Sequence, residues 1–158
     1  MSDQETLKQI DRLQARYAEA LDEHDMEAWL ACFDEDGSYI CIPRENVDAN
    51  MPVAVMMDDT RARLVDRVKF ICEVWAGTFE DYRTRHFIQK LSFRTDGAIV
   101  RARANFLVCF TSERGESGIL ANGFYEDEIR LTSAGAKFKS RKAIMDTFVT
   151  PRYLVYPI

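Results

Sequence analysis

The chain has 158 residues, 47% apolar and 30% charged, with a net charge of −5. That length suits one ordinary domain, able to bury roughly two-thirds of its unfolded surface. The composition is that of a soluble globular protein, and the acidic balance argues against a nucleic-acid partner. The opening Met1-Ser2-Asp3-Gln4-Glu5 is polar and lacks the pattern of a signal peptide. No apolar run approaches the ~18 residues of a membrane span, so a cytoplasmic location is expected.

Leu7, Ile10, Leu13, Tyr17 and Leu21 recur at helical spacing and predict a first helix ending near Asp22-Glu23-His24. Asp25 is placed to cap a short second helix over 26–33, with Trp29, Leu30 and Phe33 as core bulk. A turn over 34–37 leads to a strand at 38–42, which Pro43 stops. Residues 43–57 show no period and read as a long loop. Asp58 or Asp59 then caps the longest helix, whose inner face carries Leu64, Val65, Val68, Ile71, Cys72 and Trp75, and which Gly77 ends.

From Thr84 onward the period falls to two. In the strand over 98–111, Ala98, Val100, Ala102, Ala104, Phe106, Val108 and Phe110 share a face, while Arg101, Arg103 and Asn105 take the other. Its predecessor over 84–94 joins it through Thr95-Asp96-Gly97, a hairpin signal. Further strands follow over 119–131 and 137–149. Three helices followed by sequential hairpins predict an α+β cone: helices packed into the concave face of one strongly curved antiparallel sheet.

Four cysteines, at 32, 41, 72 and 109, are isolated, with no CxxC and no histidine at metal-ligand spacing. Cys32, Cys72 and Cys109 fall in apolar segments and read as small buried hydrophobes without disulfides. The two histidines, His24 and His86, cannot supply a facial iron triad unless they converge, and His24 in its charged run reads as solvent-exposed. The paired Cys-x-His and Cys-x-x-His elements of a Rieske cluster are missing, as are phosphate-loop, nucleophile-elbow and zinc-helix motifs.

His86 is the residue best placed for acid–base work, reaching Asp127, Asp146 or Tyr125 in a lyase or isomerase; the alternative is a histidine that anchors the sheet. Arg85, Arg101, Arg103, Arg130 and Arg141, with Glu126, Glu128 and Asn105, are dense for strand positions and read as an interface or as a cross-paired exposed face. The local basic group Lys137, Lys139, Arg141 and Lys142 reads as a solvated face.

Taken together, the segment YAEALDEHDMEAWLACFDEDGSY, the Asp58-Asp59 helix with Leu64, Arg67 and Val68, Arg85-His86, Asn105-Phe106, Gly123-Phe124-Tyr125-Glu126-Asp127, Arg141 and Asp146 resemble the small (beta) subunit of aromatic-ring-hydroxylating dioxygenases. The loop Arg44-Glu45-Asn46-Val47-Asp48 followed by Pro52 resembles the salicylate hydroxylase, anthranilate and terephthalate branch. The resemblance implies the cone fold of the nuclear transport factor and scytalone dehydratase group. It also implies a non-catalytic subunit with no cofactor of its own, a large (alpha) subunit partner carrying the Rieske [2Fe-2S] cluster and mononuclear iron, and an α3β3 assembly. The whole enzyme would hydroxylate an aromatic, carboxylated substrate.

Overall fold

A computed structural model describes residues 2–158. Helix α1 (Asp3–Asp22) starts where the Ser2 hydroxyl accepts from the Glu5 N–H, and buries Ile10, Leu13, Tyr17 and Leu21 on one stripe. Helix α2 (Met26–Ala31) is capped by Asp25 as expected, but ends before Phe33, which already opens strand β1 (Phe33–Pro43). The 34–37 turn is thus an irregularity inside β1, not a loop before it.

The 43–57 stretch contains a short helix α3 (Arg44–Asp48) and leads into a three-residue strand β2 (Met56–Asp58). Helix α4 (Arg61–Lys69) is capped by the Thr60 hydroxyl rather than by Asp58 or Asp59, and continues as one π-helical turn, Phe70–Val74. Asp58 serves the helix from the side: the Arg67 Nε and Nη2 donate to its two carboxylate oxygens at 2.9 and 3.0 Å. The longest helix is therefore α1, not α4. On the expected inner face of α4, Leu64, Val68 and Ile71 are buried, but Cys72 is exposed.

Strands β3 (Tyr82–Asp96), β4 (Ile99–Ser112), β5 (Ser117–Thr132) and β6 (Gly135–Met145) form sequential antiparallel hairpins. Gly97, at φ +62°, supplies the left-handed turn residue of the first. The six strands run in the order β2-β1-β6-β5-β4-β3, and β1 pairs with β6 in parallel, so the sheet is mixed at that seam. Register breaks at Leu91, between Val108 and Cys109, and between Glu128 and Ile129 bend the ladder. One apolar cluster, from Ile10 to Ile158, fills the space between helices and sheet. No helix among the described residues is long and apolar enough to cross a membrane.

Candidate functional site

His86 lies on β3 with its side chain 1% exposed, turned toward α1. Its partner is none of Asp127, Asp146 or Tyr125. Its Nδ1 stands 2.6 Å from Oδ1 of Asp22, the last residue of α1. The same carboxylate accepts from the His86 N–H at 3.1 Å and from the Thr84 hydroxyl at 3.0 Å. Burial acts most strongly against ionisation of Asp22, yet these hydrogen bonds outweigh it and hold its pKa below the ordinary value. The group is a clasp between helix and sheet, and Nε2 has no hydrogen-bond partner among the described residues. Sequence reading missed Asp22 because it closes a charged run that looks solvated.

His24 is likewise not free in solvent. With φ +56°, it turns back to stack on Tyr156 at 4.0 Å between ring centroids, and its Nδ1 lies 3.7 Å from Asp81.

Asp127 and Arg141 form the other buried polar group. Arg141 donates from Nε and Nη2 to the two Asp127 oxygens at 2.9 and 2.8 Å, and from Nη2 to Gln14 Oε1 at 2.5 Å. Gln14 in turn donates to Asp127 at 3.1 Å, so α1, β5 and β6 meet in one bidentate network. The guanidinium lies against Tyr17, Tyr125 and Phe138, 4.1, 3.8 and 4.0 Å from their ring centroids. Burial opposes its charge, but Asp127 more than compensates and the pKa is raised. Burial likewise pushes the Tyr125 phenol well up, which keeps it neutral.

Arg141 is thus an interior residue and not an interface one. The reason is a bulge: Phe138 faces Ile129 and Ser140 faces Glu128, leaving Lys139 extra. One extra residue inverts the alternation, so Arg141 turns inward while Lys137 and Lys139 point the other way. Gly123 belongs to the same seam. A Cβ there would stand 2.0 Å from the Ile144 carbonyl oxygen, so only glycine lets β5 approach β6 this closely.

The other arginines are on the outer face or the rim. Arg101 pairs with Glu128 at 3.4 Å, Arg103 lies over the Phe124 ring at 4.2 Å, and Asn105 donates to Gln89 at 3.1 Å. Arg85 is exposed and donates to the Thr84 carbonyl; Glu126 is exposed between Arg103 and Lys142. Arg130 is engaged within the chain by Asp34 and Asp36. Asp146 is at the surface, 3.1 Å from Arg44.

The four acid–base candidates therefore divide among three separate settings: the His86–Asp22 clasp, the Tyr125–Asp127–Arg141 network and the exposed Asp146–Arg44 pair. Among the described residues, cavities of about 310 to 550 Å³ open on the surface, and neither His86 nor Tyr125 lines these. Among the described residues no group of three or more His, Cys, Asp or Glu side chains could hold a metal ion. The donor set does not fit a Rieske cluster or a facial iron triad.

Helices packed in a bent sheet, with the Arg141–Asp127 ion pair buried inside and a charged outer face, define an α+β cone fold. Within it, residues 16–152 match the ring hydroxylating beta subunit family, and the chain belongs to that family. It is 32% identical to the small subunit of anthranilate 1,2-dioxygenase from Burkholderia cepacia over 99% of this chain and 96% of that one. It is 27% identical to a beta subunit of the terephthalate 1,2-dioxygenase terminal oxygenase of a Comamonas species, over 95% and 97%. A solved Novosphingobium aromaticivorans structure, described as the beta subunit of an aromatic-ring-hydroxylating dioxygenase, superposes with TM-score 0.82 at 33% identity, covering 92% of each chain. A protein from the same organism described as a scytalone dehydratase shares the fold, with TM-score 0.69 at 20% identity over 94% and 89%. The anthranilate and terephthalate likeness agrees with the branch suggested by the 44–52 loop. Small subunits of these dioxygenases lack the Rieske and iron sites, which reside in the large subunit.

Proposed function

We propose that this chain is a non-catalytic, single-domain support for an iron-containing large subunit, in a cytoplasmic α3β3 oxygenase that hydroxylates a carboxylated aromatic ring. The observation that carries the reading is the engagement of the polar interior. His86 is clasped by Asp22 through Nδ1, and Asp127 and Arg141 are bound to each other and to Gln14, so these bonds serve helix–sheet docking, while His86 Nε2, Arg141 Nη1 and the Tyr125 hydroxyl are buried without a partner among the described residues. A continuous core from Ile10 to Ile158 supports the single domain. The carboxylated substrate is supported by the names of the anthranilate and terephthalate relatives.

The outer sheet face supplies the expected contact surface, with Arg85, Arg101, Arg103, Asn105 and Glu126 exposed. A cyclic trimer can pair such a patch with a different patch on the next copy. Nucleic acid has no place in this reading, since the chain is acidic and its outer arginines alternate with carboxylates.

Co-expression with the cognate large subunit tests the proposal. The expected product is a complex of equal subunit numbers by light scattering, whose ring-hydroxylation turnover survives His86→Ala and Tyr125→Phe wherever the complex assembles. A correctly assembled variant slowed by the ~10²–10⁴ typical of lost acid–base catalysis would refute it.

A further inference from the structure

The large apolar side chains left exposed include two groups at opposite ends of the sheet. At the β2 end, Met51, Val53, Val55 and Met57 lie in or just before the edge strand, and Phe70 and Val74 belong to the π-helical turn after α4. At the β3 end, Phe87 and Ile119 stand on the outer face on either side of β4, where Leu107 lies opposite Phe87 and Cys109 opposite Ile119. Soluble chains rarely leave such groups uncovered, so each end reads as a contact surface.

The two ends differ in shape and in charge. Phe87 projects from a strand, whereas at the β2 end a cavity of about 310 Å³ opens between Met57, Phe70 and Trp75. Room of roughly 150 Å³ suffices for benzene, so this cavity can take a phenylalanine ring. Phe70 and Trp75, with ring centroids 5.6 Å apart, give it aromatic walls. On its rim Arg67 is held by Asp58, and Arg63 by Asp59 at 3.3 Å, while Asp66 has no ion pair among the described residues. Arg85, two residues from Phe87 on the same face, is likewise without a carboxylate partner among the described residues. Its guanidinium is steadied by the Thr84 carbonyl oxygen at 2.9 Å, and the Thr84 hydroxyl is held to Asp22 of α1.

We propose that these two ends meet between copies of this chain: Phe87 of one copy enters the Met57–Phe70–Trp75 cavity of the next, and Arg85 pairs with Asp66 of that copy. The contact rests on the trimer of the subunit reading and names its two sides. A knob meets a hole and not another knob, so the contact is head-to-tail, the kind that builds a closed ring when the rotation closes. The register breaks bend the sheet, which turns its two ends off a straight line, as a ring requires. An aromatic side chain filling a pocket beside an arginine is also the usual make-up of the few residues that dominate an interface.

A mixing experiment on the full chain, read by light scattering, tests it. Phe87 and Phe70 are 60% and 46% exposed, so Phe87→Asp and Phe70→Asp should each melt near the parent. Either change should weaken self-association by at least about thirtyfold and leave monomers. Mixed together, the two variants should form a dimer and stop there, because one keeps a sound cavity and the other a sound knob. Arg85→Asp or Asp66→Arg alone should weaken association about tenfold, and both changes in one chain should restore it. A Phe87→Asp chain that trimerises like the parent, or a mixture that stays monomeric, overturns the proposal. If the parent trimerises only with its large subunit, the same variants are read in the co-expressed complex. There a full hexamer from Phe87→Asp overturns the contact, and so does loss of the large subunit itself, which would give the Phe87 end to that partner. In both cases the subunit reading stands; a parent that neither self-associates nor joins a large subunit sinks that reading and the contact with it.

Discussion

Two arginine–carboxylate pairs, one on each face of the β4–β5–β6 hairpins, show how position decides what an ion pair is for. Arg141–Asp127 and Arg101–Glu128 involve neighbouring carboxylates on β5, yet the first pair is 0% exposed on both sides and the second 56% and 37%. Inside, each charge has lost its water, and the bidentate geometry, the Gln14 amide and three ring faces replace it. Outside, water screens the pair, and holding two long side chains together gains little. The inner pair is committed to holding α1 on the sheet, whereas the outer one leaves its arginine available to a neighbouring chain.

The sharpest way to break this contrast is Arg141→Ala. It strands Asp127 in the core and should cost about 3–5 kcal/mol in urea unfolding, enough to leave much of the chain unfolded. Replacing both partners by apolar residues, Arg141→Met with Asp127→Leu, should recover most of that loss. A single variant as stable as the parent would mean that the network is not a structural clamp.

Next in size is Gly123→Ala at the same seam. Its methyl would meet backbone, which cannot rotate aside, so a loss at the upper end of the ~1–3 kcal/mol typical of overpacking is expected in thermal unfolding.

The Asp22 clasp should be smaller and dependent on pH. Its carboxyl is held below the ordinary 3.8, so its contribution is fully present above that value and is lost as pH falls through the lowered folded pKa. Asp22→Asn should therefore cost about 1–2 kcal/mol at neutral pH and less in acid, where the parent loses the same contribution. Denaturation midpoints from neutral to acid pH check this, and a pH-independent difference would assign the loss to packing.

The least effect on the isolated fold is expected for Arg101→Glu with Arg103→Glu. The pair energy at stake in this exposed setting is under about 1 kcal/mol. Assembly should nevertheless suffer, since like charges facing across an interface repel. Light scattering of the co-expressed complex against melting of the free subunit separates the two effects. If the fold melts early while the complex persists, the inner and outer roles assigned here are reversed.

Much of the architecture was legible in residue order. The 3.6-residue stripe of α1 and the strict alternation of β4 need only local chemistry, and both appear at nearly the expected bounds. Asp25 as a cap follows from the same local rules, as does a tight hairpin at Gly97, although Asp96 still pairs with Ile99 and the two turn residues are Gly97 and Ala98. Thr60 displaced the Asp58 and Asp59 candidates because only the neighbouring β2 strand, itself unseen in an aperiodic segment, fixes where Asp58 points.

Tertiary structure alone decided the polar sites. A bulge at Lys139, invisible in composition, turned Arg141 from an outer residue into an inner one. Asp22 met His86 only because α1 crosses β3, a contact spanning 64 positions that no local period encodes. The parallel pairing of β1 with β6 and the burial of residues 155–158 are of the same kind. Periodicity states which residues share a face. Which face meets a helix, and which long-range partner waits there, is set by the packing of the whole chain.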